Sequence, residues 1–246
     1  MIALLSLWTW FEIALLSLVG FAAQLLLAVT LPFDRRRAVV GRAFRLVGVT
    51  ACKLSPLWRF GVQGAVPARS PGRTVVVSNH ESQADPFLIA HLPWEMKWLS
   101  KASMFRVPVV GWSMWLAGDI ALERGRADST RKAMARCARW LARGMPVMIF
   151  PEGTRSTSDE LLPFKDGAFR LAIDSGADLL PIAVRGTQRA LPKHAWRLGR
   201  AKALVAVGTP ISTQGMGSAD VERLKALALA QIESLRATLG PLVASG

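Results

Sequence analysis

Two short segments hold residue types that can do chemistry together. In the first the chain reads Val77-Ser78-Asn79-His80-Glu81-Ser82-Gln83-Ala84-Asp85-Pro86-Phe87. A carboxylate five residues beyond an imidazole can accept its Nδ1 proton, which fixes the tautomer and leaves Nε2 free as a general base. The same pair also reads as plain architecture: proline favours the first helical position and pushes the residue before it out of the α region, so Asp85 would be an N-cap and His80 a packing residue. The second segment is Phe150-Pro151-Glu152-Gly153-Thr154-Arg155-Ser156. Gly153 permits close backbone approach, and Thr154, Arg155 and Ser156 offer donors to a phosphate. Two further stretches are weaker alone. Gly118–Arg124 sets Arg124 at a strand end, suited to a bidentate phosphate contact or to plain solvent exposure. Leu179–Val184 is a strand broken by Pro181, which implies an edge, a bulge or a functional opening. Neither cysteine stands near His80 and no second histidine is suitably spaced, so no metal is expected. A serine hydrolase is not expected either, for want of a Gly-x-Ser-x-Gly elbow.

The elements that must position these residues alternate in type. Thr74–Ser78 is a continuous β-branched run of the kind found in buried strands. Further strands are expected at Lys97–Ser100, Asp119–Glu123, Pro146–Phe150, Leu179–Val184 and Ala203–Val207. A short helix is expected at Pro86–Leu92. In Ser129–Arg143, Met134, Cys137, Ala138 and Leu141 recur at helical spacing and mark a core face, with Lys132, Arg136, Arg139 and Arg143 on another. Asp166–Ser175 reads as a helix stopped by Gly176, and Ala219–Leu239 as a long terminal helix closed by Gly240. This alternation predicts an α/β fold with a central, mostly buried sheet flanked by helices. Residues 38–60 mix apolar residues with Arg42, Arg45, Lys53 and Arg59, and read equally as an interfacial helix or as a connecting helix packed on the domain.

The order Asn-His-x4-Asp, then Gly-Asp-Ile-Ala-Leu-Glu-Arg, then Phe-Pro-Glu-Gly-Thr-Arg-Ser, then Leu-Leu-Pro-Ile-Ala-Val resembles the glycerolipid acyltransferase family, most of all its bacterial 1-acyl-sn-glycerol-3-phosphate acyltransferases. Phe164-Lys165-Asp166-Gly167 is similar to a further segment of that family. The motifs span residues 79–184 and the likeness in layout most of 38–215. The resemblance implies a glycerol-3-phosphate acyltransferase-like domain over residues 38–246, with His80 as general base and Asp85 as its partner. It implies that Arg124, Glu152 and Gly153, with Thr154 and Arg155, hold the glycerol phosphate, and that Pro181 belongs to the acyl-donor segment. The implied reaction moves an acyl chain from acyl-CoA or acyl carrier protein to lysophosphatidate, giving phosphatidate, with no cofactor. Another lysolipid acceptor, such as a lyso-ornithine lipid, is the alternative. Ala121 stands where the family usually has an aromatic residue, which loosens the inference about the acceptor headgroup. Lys101 is a basic residue of a kind the family often has there, without an assigned role.

Composition frames these readings. The 246 residues are 51% hydrophobic, which excludes a disordered chain, yet the formal net charge is +14. Mean hydropathy is +0.30. The apolar excess is concentrated at the start, where Glu12 is the only ionisable side chain from Met1 to Phe33. Residues 1–37 are expected to be a membrane helix segment, either spanning the bilayer or lying in one leaflet. No Lys or Arg precedes the run, which disfavours a cleaved signal peptide. Arg35, Arg36 and Arg37 follow it, and by the positive-inside rule they put the rest of the chain on the cytoplasmic side, against anionic lipid; the resemblance implies that the membrane is a bacterial inner membrane. The apolar stretch Val107–Leu116 is expected either to line an acyl tunnel or to rest on the bilayer. A non-catalytic lipid- or DNA-binding protein is the rival class. The basic residues are dispersed and no helix-turn-helix or RNA-binding signature is present, so no nucleic-acid partner is expected.

Overall fold

The computed structural model describes residues 1–156, 158–192 and 195–240. Seven strands form one sheet: β1 (Trp58–Gln63), β2 (Thr74–Ser78), β3 (Lys97–Lys101), β4 (Ile120–Leu122), β5 (Val147–Ile149), β6 (Asp178–Arg185) and β7 (Ala201–Val207). Their order is β1-β7-β6-β2-β5-β3-β4. The stretch β6-β2-β5-β3-β4 is parallel throughout, and β7 runs antiparallel to β6. Among the described residues seven α-helices accompany it: α1 (Ile2–Leu27), α2 (Ala38–Leu54), α3 (Asp85–Ile89), α4 (Val110–Ala117), α5 (Ala127–Ala142), α6 (Gly167–Ser175) and α7 (Val221–Leu239).

All five residues of β2 are buried because both faces of the sheet are covered. Val75, Val77, Val147, Ile149, Leu179 and Ala183 face α5, α6 and α7. Val76, Met148, Leu180, Ile182 and Val184 face the opposite layer, with Leu88 and Ile89 of α3. The α5 core face is Ala133, Cys137, Trp140 and Leu141, with Met134 and Ala138 only partly buried against it.

The sequence leaves two elements unread. β1 is an edge strand paired only with β7, so its mix of Trp58, Arg59, Gly61 and Gln63 shows neither alternation nor a continuous apolar run. In α4, Met114 and Leu116 are buried while Trp112 and Trp115 are 54% and 68% exposed. That favours the reading of Val107–Leu116 as an apolar surface over that of a tunnel wall.

Pro181 lies in the interior of the sheet, not at an edge. It aligns with Val77 of β2 on one side. On the other, β6 pairs with β7 at Ile182–Val207 and then with the following chain at Leu179–Ile211. Four steps of chain from Val207 to Ile211 oppose three from Leu179 to Ile182, so a bulge stands beside the proline. Its carbonyl accepts the Gly208 N–H at 2.9 Å. Its nitrogen, on the same side, meets the bulge and no ladder carbonyl, which is how a central strand tolerates proline.

The first helix packs on α2 and α4. It is long and apolar enough to cross a membrane by length and composition. Its fully buried residues are polar: Ser6, Thr9 and Gln24. The Ser6 hydroxyl accepts the Leu198 N–H at 3.0 Å, Thr9 and Ser55 share a 3.1 Å hydrogen bond, and the Gln24 amide donates to the Val40 carbonyl at 3.1 Å. Leu4, Leu7, Leu15, Leu18, Val19 and Leu26 point outward. α2 in turn grips the domain through buried Arg45, whose guanidinium donates to the Met96 carbonyl and the Asp119 carboxylate. Of residues 38–60, the first seventeen form α2, packed on the domain through Val40, Val49 and Cys52 with Val39, Leu46 and Leu54 exposed, and the last three belong to β1.

Candidate active site

Parallel strands deliver their C-terminal ends to one edge of the sheet, where ligands of open α/β sheets bind. From β2 the chain passes into Asn79 and His80. From β5 it passes into Phe150–Ser156 and from β4 into Glu123 and Arg124, while β3 ends on Lys101.

His80 and Asp85 are brought together. Nδ1 of His80 lies 2.7 Å from Oδ2 of Asp85, and the imidazole is 13% exposed while the carboxylate is fully buried. The same Oδ2 accepts the backbone N–H groups of Glu81 at 2.8 Å and Ser82 at 3.0 Å, and Thr187 donates its hydroxyl to Oδ1. Asp85 therefore does not cap its helix: α3 starts at Asp85 itself, with Ala84 at the cap position and no side-chain cap bond. Its carboxylate turns back into the loop and accepts four donors, so it acts as an acceptor and His80 donates from Nδ1. Nε2 of His80 makes no hydrogen bond among the described residues. Phe150 stacks on the ring, with centroids 4.0 Å apart and planes 17° from parallel.

Glu152 is buried and braces the loops. One of its oxygens accepts the His80 backbone N–H at 2.7 Å and the other the Leu162 N–H at 3.2 Å. Burial raises its pKa and those two N–H groups pull the other way. Glu152, expected to help hold the glycerol phosphate, has both carboxylate oxygens on backbone N–H groups in this structure. A carboxylate repels a phosphate, and this one is committed to two backbone donors that tie the His80 loop to the segment after Gly153. The Ser156 N–H closes the same junction on the His80 carbonyl at 2.9 Å.

Gly153 has φ +69°, a conformation that L side chains rarely adopt, and a β-carbon there would stand 2.9 Å from the Lys165 Nζ. Lys165 thus lies over the turn, and its own N–H donates to the Pro151 carbonyl at 2.9 Å. Thr154 is exposed and Arg155 half-buried. Arg124 feels both burial and the charge of Arg155, and both hold its pKa below the ordinary guanidinium value. Two cations that repel each other in an open site mark a place for an anion.

Arg124 also lines a shallow pocket of about 270 Å³ with Lys101, Ser103, Arg106, Leu122 and Glu123, and Arg155 lies outside that wall. Lys101 and Arg106 were not assigned a role from the sequence. They join Arg124 because β3 pairs directly with β4, with Lys101 opposite Leu122. Thr187 was missed as well: it follows β6 and lies 102 positions from the carboxylate it serves. Pro181 is buried one residue before Ile182, the partner of Ser78, and reaches the site only through its strand. Among the described residues there is no cluster of three or more His, Cys, Asp or Glu able to hold a metal.

Comparison with known proteins identifies the family. The acyltransferase family model matches residues 59–185. The chain belongs to the acyltransferase family. A 1-acyl-sn-glycerol-3-phosphate acyltransferase of Chlamydomonas reinhardtii is 35% identical over 180 residues, covering 72% of this chain and 54% of the relative. The chain thus matches about half the length of that longer protein. The 1-acyl-sn-glycerol-3-phosphate acyltransferase of Salmonella typhimurium is 30% identical over 78% of this chain and 79% of its own length. Among solved structures, the 1-acyl-sn-glycerophosphate acyltransferase of Thermotoga maritima shares the fold, with a TM-score of 0.79 over 96% of both chains and 22% identity.

Proposed function

We propose that this acyltransferase moves an acyl chain from a thioester to the sn-2 hydroxyl of 1-acyl-sn-glycerol-3-phosphate, giving phosphatidate, with His80 as general base. The observation that carries the reading is the His80–Asp85 pair at 2.7 Å on the same sheet edge as the Lys101, Arg106 and Arg124 pocket. Nε2 of His80 takes the hydroxyl proton as the oxygen attacks the thioester carbonyl carbon. The tetrahedral intermediate collapses, the C–S bond breaks, and the departing thiolate recovers the proton from His80. The imidazolium formed on the way is stabilised by Asp85. No nucleophilic side chain is needed, since the thioester is already activated. The donor in this reading is acyl-CoA or acyl carrier protein, which carry the same thioester. The relatives named for this acceptor support it, and three pocket cations against one carboxylate, Glu123, which pairs with Arg126, favour a phosphate headgroup over a phosphate-free lysolipid such as a lyso-ornithine lipid.

Arg124→Ala separates these acceptors. The Michaelis constant for lysophosphatidate is expected to rise about tenfold or more with kcat little changed, since one charge-assisted contact is worth about 1.5–3 kcal/mol. Steady-state kinetics with a phosphate-bearing and a phosphate-free lysolipid measure this. Equal loss with both acceptors contradicts the role of Arg124.

In this reading residues 1–37 anchor the enzyme, with the domain on the cytoplasmic side of a bacterial inner membrane. The polar contacts of α1 from Ser6 to Gln24 support immersion along the domain's flank without a separate crossing. Pulling α1 away into hydrocarbon would strip those groups of partners, at a cost of about 2–7 kcal/mol each. Glutamate at both Leu15 and Leu18, which are 47% and 56% exposed, is expected to abolish flotation with anionic liposomes in a density gradient. Flotation equal to that of the parent chain contradicts the immersed face.

A further inference from the structure

The reaction as described leaves one buried titratable group beside the base unused. Glu81 follows His80 directly, and its side chain is 9% exposed. Oε2 accepts the Gly186 N–H at 3.0 Å and lies 3.5 Å from the Thr187 hydroxyl, whose proton goes to Asp85. Oε1 faces Nη2 of Arg236 at 3.9 Å and the Asn79 amide at 3.5 Å. Arg236, from α7, is already engaged by the Asp159 carbonyl at 2.6 Å and its carboxylate at 2.8 Å, and Arg185 holds the other Asp159 oxygen at 2.9 Å.

Two carboxylates therefore crowd one hydroxyl on unequal terms. Asp85 has four donors and Glu81 has one well-made hydrogen bond and a distant cation. Burial first, and the charge of Asp85 second, push Glu81 up to about 7, against the pull of Arg236, the Gly186 N–H and Arg185. The charged or titratable groups facing Glu81 are thus Asp85 from α3, Arg185 from β6 and Arg236 from α7, and His80 is linked to it through the Thr187 hydroxyl and Asp85. Asp159, from the loop after Ser156, reaches it through Arg236.

We propose that Glu81 is a proton-linked positioning residue for His80: its ionised carboxylate adds to Asp85 in stabilising the imidazolium, and its protonation withdraws that support. The proposal rests on His80 being the base. It couples the rate of acyl transfer to pH through a residue that touches neither substrate.

The test is the pH dependence of kcat for the purified full chain and for Glu81→Gln, in detergent micelles with lysophosphatidate and an acyl-CoA. The amide keeps an acceptor for Gly186 but not the charge. At pH 6, where Glu81 is protonated, the two proteins are expected to agree within about twofold. At pH 8 the variant is expected to be about threefold to tenfold slower, the effect of a coupling of roughly half to one pKa unit. Arg236→Met removes the nearest cation and should move the same inflection to higher pH. Infrared titration should show a protonated carboxyl band that is lost near neutrality in the parent chain and absent from Glu81→Gln. Parallel profiles at every pH overturn the proposal, because a merely structural role lowers the rate uniformly. His80→Ala tells the two failures apart. Turnover retained in His80→Ala removes the base and this proposal together, whereas an inactive His80→Ala with parallel Glu81→Gln profiles removes the proposal alone.

Discussion

His80→Ala is expected to lower kcat by about two to four orders of magnitude, the range that general base catalysis contributes. The Michaelis constants for lysolipid and thioester should change little, because the proposed phosphate site is the pocket lined by Lys101, Arg106 and Arg124 and not the imidazole. The fold should survive. The ring is held by one stack on Phe150 and one hydrogen bond to Asp85, and that carboxylate keeps the Glu81 and Ser82 N–H groups and the Thr187 hydroxyl. Single-turnover kinetics on the purified variant, with its thermal midpoint measured alongside, separate lost chemistry from lost structure. Near-parental turnover removes His80 as the base.

Asp85→Asn is expected to be nearly as severe in rate and worse for stability. The carboxylate accepts from His80, Glu81, Ser82 and Thr187 with no donor of its own. A carboxamide points an NH₂ at one or more of those donors, and it no longer dictates which imidazole nitrogen carries the proton. The corresponding change in Ser-His-Asp proteases costs about 10⁴ in kcat through the wrong tautomer. Here a loss of about 10²–10⁴ in kcat is expected, with about 2–4 kcal/mol of stability for the buried, charge-assisted bonds. Nitrogen NMR of His80 should show the proton moving from Nδ1 to Nε2. A variant with parental kcat, or an unchanged tautomer, contradicts the part given to Asp85.

What the sequence made legible follows the range of each interaction. β2 and α5 could be read because their patterns are local: five successive buried residues in one, an apolar face at helical spacing in the other. The chemistry of Asp85 was local too, but ambiguous. Aspartate before proline fits a helix cap, and only the loop turning back on itself makes it a partner for His80. The brace of Glu152 and the hydroxyl of Thr187 were illegible, since their partners lie 72 and 102 positions away. Lys101 and Arg106 gained meaning only from strand order, which sets β3 beside β4. For α1 a signal was present and went unused. Ser6 and Gln24 are eighteen positions apart, about five helical turns, so the two fall on one face.

The central claim is that one sheet edge combines a histidine base with a phosphate pocket for lysolipid acylation. Its most direct test is acyl transfer by the purified chain from a labelled thioester to a panel of lysolipids in mixed micelles, run beside His80→Ala. The account predicts label in phosphatidate from 1-acyl-sn-glycerol-3-phosphate, much less label with phosphate-free lysolipids, and none above background with the variant. Label in no lipid, equal label across the panel, or undiminished transfer by His80→Ala would contradict it.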